Sequence, residues 1–196
     1  MKKVILTAVA LFTILFVNGQ DKKDMSFGVK AGLNVSSINN IDEDGVDSNS
    51  LIGFHVGFFG EFMVSDKFAI QPELLYSTQG VELEFLGEKG DLKLDYINIP
   101  VLGKYYVSDA FSLEAGPQIG FLVSAKANSG GVEEDVKDEL KSTDVSLAFG
   151  ANYTISKNIM IGARYNLGLT RLQENLSPGE KDFKNSVFQI SLGYKF

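Results

Sequence analysis

The sequence predicts an all-β fold: an eight-stranded antiparallel up-and-down transmembrane β-barrel that follows an N-terminal signal peptide. Three observations carry this. Eight segments alternate apolar and polar residues with period two, the repeat of a strand with two unlike faces. The connections switch regularly between short turns and long polar loops, so all the turns fall at one end of the sheet and all the loops at the other. The apolar face is nearly free of charge, and aromatic residues sit near both of its ends, as in an apolar band between two interfacial girdles.

The chain of 196 residues starts with Met1-Lys2-Lys3, and Val4 to Val17 follows without a charge. That run is too short for a membrane-crossing helix, which needs about 20 residues. With its basic flank it reads as a secretory signal peptide. The cut is placed after Gly19. This gives a signal peptide over 1–19, a short segment over 20–25 and a barrel domain over 26–196. Losing Lys2 and Lys3 takes the formal charge from −7 to −9.

The strands follow in order. Phe27, Val29, Ala31, Leu33 and Val35 form the apolar face of the first, and Ile52, Phe54, Val56, Phe58 and Phe62 that of the second. Phe68, Ile70, Leu74 and Tyr76 mark the third; Ile97, Ile99, Val101, Tyr105 and Val107 the fourth; Phe111, Leu113, Ala115, Ile119, Phe121 and Val123 the fifth. Val145, Leu147, Phe149, Ala151, Tyr153 and Ile155 mark the sixth, and Ile159, Ile161, Ala163, Tyr165, Leu167 and Leu169 the seventh. Phe188, Ile190, Leu192, Tyr194 and Phe196 mark the last. Short turns are expected at Ser65-Asp66-Lys67, Ser108-Asp109-Ala110 and Ser156-Lys157-Asn158, and long polar loops at 37–50, 80–91, 126–143 and 171–185. Pro72, Pro100 and Pro117 fall inside strands, where bulges are expected. Val132, Val136 and Leu140 recur every four residues, which suggests a short amphipathic helix in the third loop.

The other face decides which side is inside. A soluble barrel would present Lys and Glu to water there. This face is mostly Gly, Ser, Asn, Gln and Ala, which suits a crowded interior. It carries Lys30, Lys104, Arg164 and Lys195 against Glu61, Glu73 and Glu114. Buried charges must be paired, and an eight-stranded lumen is just filled by side chains, so these residues are expected to form a salt-bridge plug. His55 lies on the same face, in reach of Glu61 on this reading. Leu75, Leu102, Phe59 and Met160 also fall there, either filling gaps or lying past a bulge.

Composition excludes several classes. There is no Cys, hence no disulfide scaffold or thiol chemistry. The acidic balance opposes a nucleic-acid partner. Asn40 to Asp47 resembles a calcium loop, with Asp42, Asp44 and Asp47 as weak metal candidates, but Asn40 and Leu51 are wrong for its first and twelfth positions. No metal, cofactor or catalytic site is expected.

Phe27-Gly28-Val29-Lys30-Ala31-Gly32-Leu33-Asn34, Gln71-Pro72-Glu73-Leu74-Leu75-Tyr76-Ser77, Tyr96-Ile97-Asn98-Ile99-Pro100-Val101-Leu102-Gly103-Lys104-Tyr105, Gly116-Pro117-Gln118-Ile119-Gly120 and the ending Leu192-Gly193-Tyr194-Lys195-Phe196 resemble the PorT-like outer-membrane β-barrel family. The resemblance covers roughly 26–196. It implies a small barrel in the outer membrane of a Gram-negative type of cell. The family's namesake resembles a component of a protein secretion system, so a link to secretion or envelope function is implied. It brings no catalytic motif. The expected partners are outer-membrane lipid and another envelope or secreted protein, met through the loops at 37–50, 80–91, 126–143 and 171–185. These loops sum to −9, so strands and turns together are neutral. The competing readings are a narrow channel or transporter barrel and, more weakly, a soluble lipocalin-like ligand-binding barrel.

Overall fold

The computed structural model describes residues 25–39, 46–85, 88–173 and 182–196. The expected signal peptide lies outside these residues. Nine strands are present among these residues: β1 (Met25–Asn39), β2 (Val46–Ser65), β3 (Phe68–Phe85), β4 (Glu88–Tyr106), β5 (Phe111–Ser129), β6 (Val132–Asp135), β7 (Thr143–Thr154), β8 (Ile159–Gly168) and β9 (Lys184–Lys195). Eight of them close a ring of antiparallel ladders, β1-β2-β3-β4-β5-β7-β8-β9 and back to β1. Closure leaves the membrane-spanning wall with no unpaired edge, which a hydrocarbon environment requires. β6 adds only to the top of β5.

The outward face is the apolar one. Leu33, Ile52, Phe58, Leu113, Phe149, Ile161 and Ile190 are all exposed. The girdle residues Phe68, Tyr105, Phe111, Tyr153 and Tyr194 at the turn end, and Phe54 and Phe188 at the loop end, also face outward. The three expected short turns are where the sequence placed them.

Three expectations need correction. First, the polar stretch 80–91 is not a loop. β3 and β4 pair there without interruption from Gly80↔Lys93 to Phe85↔Glu88. β1, β2, β5 and β9 likewise run into the stretches assigned to the other loops. β2 is 20 residues long and β4 is 19, where a tilted crossing needs about 9–11. The surplus stands above the membrane. The sequence changes character there because the surroundings do. Within lipid the apolar residues face out; above it Val81, Leu94 and Leu122 face in and are buried, while Glu82, Lys93 and Lys126 face water.

Second, the prolines cause no bulge. The register shifts lie between Ser50 and His55, between Met63 and Ser65, and at Asp95/Tyr96. Each proline instead faces a gap of two rungs in one ladder: Pro72 toward β2, Pro100 toward β3 and Pro117 toward β4. An antiparallel residue directs its N–H and C=O to one neighbour. Loss of the N–H therefore opens one ladder while the other keeps register. Third, the expected helix around 132–140 is β6 followed by a single 3-10 turn at Lys137–Glu139. Gly130 and Gly131, with φ of 58° and 83°, close the β5–β6 hairpin in the left-handed conformation that such a two-residue turn demands.

Phe59, Leu75, Leu102 and Met160 fill the lumen and are buried, so no phase flip is involved. Small residues opposite them make the space. A Cβ on Gly28 would lie 2.3 Å from the Phe59 ring and 2.4 Å from the Tyr194 carbonyl oxygen. A Cβ on Gly193 would meet only the flexible Met160 side chain, at 2.9 Å. Gly28→Ala is therefore expected to lower the urea unfolding midpoint by an equivalent of about 3 kcal/mol and Gly193→Ala by under about 1, on the usual scale of overpacking. Equal midpoints would show that the backbone relaxes freely at Gly28.

Candidate functional site

The interior is built in levels, read from the turn end upward. At the turn end Glu61 accepts hydrogen bonds from Lys104 Nζ and Lys195 Nζ, each at 2.6 Å. Lys104 also donates to Gln71 Oε1 at 3.2 Å, and Lys195 to the Tyr106 hydroxyl at 3.4 Å. The Lys104 ammonium stands 5.3 Å from the centre of the Tyr106 ring.

The next level is a four-membered ion network. Glu73 receives Lys30 Nζ at 2.7 Å, Gln71 Nε2 at 2.6 Å and both arms of the Arg164 guanidinium at 2.8 and 2.7 Å. Arg164 Nε reaches Glu114 Oε1 at 2.6 Å, and Asn152 Nδ2 holds Glu114 Oε2 at 2.7 Å. Register explains the meeting. Gly150 of β7 pairs with Glu114 on one side and Arg164 on the other. With no side chain at Gly150, the carboxylate and the guanidinium close over it; a Cβ there would sit 2.8 Å from Glu114 Oε1. The forked geometry is what lets Arg hold a carboxylate in two places.

Above this, His55 sits between Asn34 Oδ1 at 2.8 Å and Ser191 Oγ at 2.9 Å, and Gln189 Nε2 donates to the same Asn34 oxygen at 2.9 Å. Gly32 leaves the room, since its Cβ would lie 2.7 Å from His55 Cε1. His55 and Glu61 are six residues apart along β2, so the histidine joins this amide level and not the carboxylate. Gln79 and Asn185 pair higher still.

The outer mouth is capped. Ile38, Val81, Leu94, Tyr96, Leu122, Ala125 and Leu172 form one apolar cluster, with Val136, Leu140 and Phe183 packed on it. Main-chain bonds strap the segments across the mouth: Val136 N–H to the Ala125 carbonyl at 3.1 Å, Lys141 N–H to Leu172 at 2.8 Å and Leu172 N–H to Phe183 at 2.8 Å. Among the described residues, side chains thus stand across the lumen at several levels between Glu61 and Leu172.

The structure brings Lys30, Glu73, Glu114 and Arg164 into one cluster and Glu61, Lys104 and Lys195 into a second, bridged by Gln71. Reading the charges alone omitted Gln71, Asn34, Asn152 and Gln189, although all four lie on the polar face of their strands. It also omitted the cap, whose signal is the alternation Val81-Glu82-Leu83-Glu84 and Leu92-Lys93-Leu94-Asp95. Asp42 and Asp44 lie outside the described residues, and so does the side chain of Asp47. The strand register aligns Asp47 with Glu84, and on the outer face Asn49 stands beside Glu82 and Glu82 beside Asp91. A shallow groove runs over Asn49, Glu82, Leu83, Glu84, Gly90 and Asp91. Lys93 reaches Asp91 at 3.1 Å, and Lys126 reaches Glu133 at 2.6 Å. That exposed contact raises the Lys126 pKa above its usual value.

Among solved structures the chain is similar to Ail, the attachment invasion locus protein of Yersinia pestis, in complex with the heparin analogue sucrose octasulfate. The two are 20% identical, with a TM-score of 0.51 over 88% of this chain and 99% of that one. It is also similar to Neisserial surface protein A, NspA, at 14% identity and a TM-score of 0.51 over 87% of this chain and 97% of the other. At these identities the likeness concerns the fold. No curated protein matches the chain. A family model described as outer membrane protein beta-barrel domain matches residues 18–174, most of the chain. A closed ring of eight strands, apolar toward lipid and polar within, is what that description requires, and the chain belongs to this family of outer-membrane β-barrels.

Proposed function

We propose that this barrel is a filled anchor that displays an acidic outer surface to another envelope or secreted protein, and that it is neither a pore nor an enzyme. What supports the reading is the set of side chains that stand across the lumen. Ion pairs occupy the lower half and an apolar cap closes the upper mouth, so the surface left for specific work is the part that rises above the membrane. That part carries Asp47, Glu82, Glu84, Asp91, Glu133, Glu134 and Asp135 on β2 to β6. Such a surface favours a basic partner, in a salt-dependent way. It disfavours a sulfated polyanion of the kind bound in the Ail complex. The resemblance to the PorT-like family supports a role tied to secretion or the envelope.

Two measurements test this. Purified protein in a planar bilayer is expected to give no stable ohmic steps; large steps would revive the channel reading. The triple variant Asp47→Asn, Glu82→Gln, Glu84→Gln is expected to keep its heat-modifiable folded form and to lose most partner capture from crosslinked envelopes. Unchanged capture would place the binding surface elsewhere.

A further inference from the structure

The geometry points to a binding site for a small anion, of the phosphate or carboxylate class, at the turn-end mouth of the barrel. The two interior charge clusters differ in balance. Lys30 and Arg164 are matched by Glu73 and Glu114. Lys104 and Lys195 share a single carboxylate, Glu61. Among the described residues this lower cluster therefore holds one positive charge in excess. Lys104 and Glu61 are buried and Lys195 is only partly exposed, so water screens the excess poorly. A buried charge without a counterion is costly.

The donors also converge. An ammonium has three N–H groups. Lys104 spends two on Glu61 and Gln71, and Lys195 spends two on Glu61 and the Tyr106 hydroxyl. Both nitrogens stand over the Tyr106 ring, at 5.3 and 6.0 Å from its centre. Lys195, the more exposed of the two, thus has a donor left beside that ring, while the Lys104 ammonium is enclosed behind it. The position is reachable, because the Lys195 side chain is 16% exposed, at the end of the barrel that carries the short turns. Those turns face the periplasm in barrels of this class. A small anion entering from that side would gain a charge-assisted hydrogen bond from Lys195 and neutralise the surplus. The charge network above it blocks further passage, so this is a binding site and not a path.

The test uses the folded full-length barrel in detergent. Sodium phosphate is titrated at constant ionic strength against the sodium salt of a bulky sulfonate buffer, and the thermal unfolding midpoint is read. The wild type is expected to gain about 3 °C per tenfold rise in phosphate once the site is filled. Lys195→Met should lose that gain. Glu61→Gln removes the competing carboxylate, so it should be less stable without phosphate, yet should respond at a phosphate concentration at least tenfold lower. A midpoint independent of phosphate in both wild type and Glu61→Gln would overturn the proposal. So would an equal gain in Lys195→Met, which would mark a general salt effect.

Discussion

Arg164→Met is expected to abolish the heat-resistant folded form, or to leave so little of it that urea unfolds the barrel at a small fraction of the wild-type midpoint. The guanidinium makes three of the closest contacts in the lumen: two to Glu73 and one to Glu114. Without it Glu73 keeps Lys30 and Gln71, but among the described residues Glu114 keeps only Asn152 as a hydrogen-bond donor. Breaking a buried pair by removing one partner costs roughly 3–5 kcal/mol, against a typical domain stability of about 5–15 kcal/mol. The cost comes from the stranded carboxylate more than from the lost attraction. Neutralising that carboxylate should therefore restore much of it. The double variant Arg164→Met, Glu114→Gln is expected to refold better than Arg164→Met alone, since Lys30 still balances Glu73. Arg164→Lys should fall between, as it keeps the charge and loses the fork. A single variant as stable as wild type would show that the ion network does not hold the interior together.

Tyr96→Ala is expected to have the next largest effect, about 3–5 kcal/mol, at the other end of the barrel. Tyr96 is 1% exposed and sits at the centre of the cap with Leu94, Leu122 and Val81. Removing its ring leaves a cavity beneath Val136, Leu140 and Leu172, and the segments strapped over the mouth lose the surface they pack on. Limited proteolysis between 126 and 143 should then become rapid while the membrane-embedded band survives. Tyr96→Phe separates the ring from the hydroxyl. The hydroxyl has no hydrogen-bond partner among the described residues, so its removal should leave stability unchanged or raise it. A large loss in the Phe variant would show that the hydroxyl holds the cap through a bound group.

The membrane-embedded half of the molecule was legible because lipid imposes a simple rule on it. Every second residue from Phe27 to Val35, or from Phe111 to Val123, meets hydrocarbon, and the sequence shows that alternation directly. Lys30, Glu61, Glu73, Lys104, Glu114, Arg164 and Lys195 could be assigned to the lumen for the same reason: charge on those strands has no other tolerable place. The part above the membrane was misread because the rule inverts there. Val81, Leu83, Leu92 and Leu94 alternate as clearly as the residues below, but their apolar face turns inward, and the acids between them resembled a loop. Gly130-Gly131 then mark a hairpin where spacing alone suggested a helix.

The sequence by itself determined the strand faces, the two ends of the barrel and which side chains are inside, because the period-two pattern and the hydrocarbon boundary are local in origin. The partners inside the lumen are a different matter. Arg164 meets Glu73 across 91 residues of chain, and Lys195 meets Glu61 across 134. Such meetings depend on how far each strand is staggered against the next around the closed ring, and no single strand records that stagger. Closure decided that Glu73 and Glu114 share one guanidinium, that His55 belongs with Asn34 and Ser191, and that Glu61 is left to serve two lysines. It also decided that residues from β1, β3, β4 and β5 gather with Leu172 into a cap. An apolar side chain above the membrane surface can only be buried against others brought there by the ring.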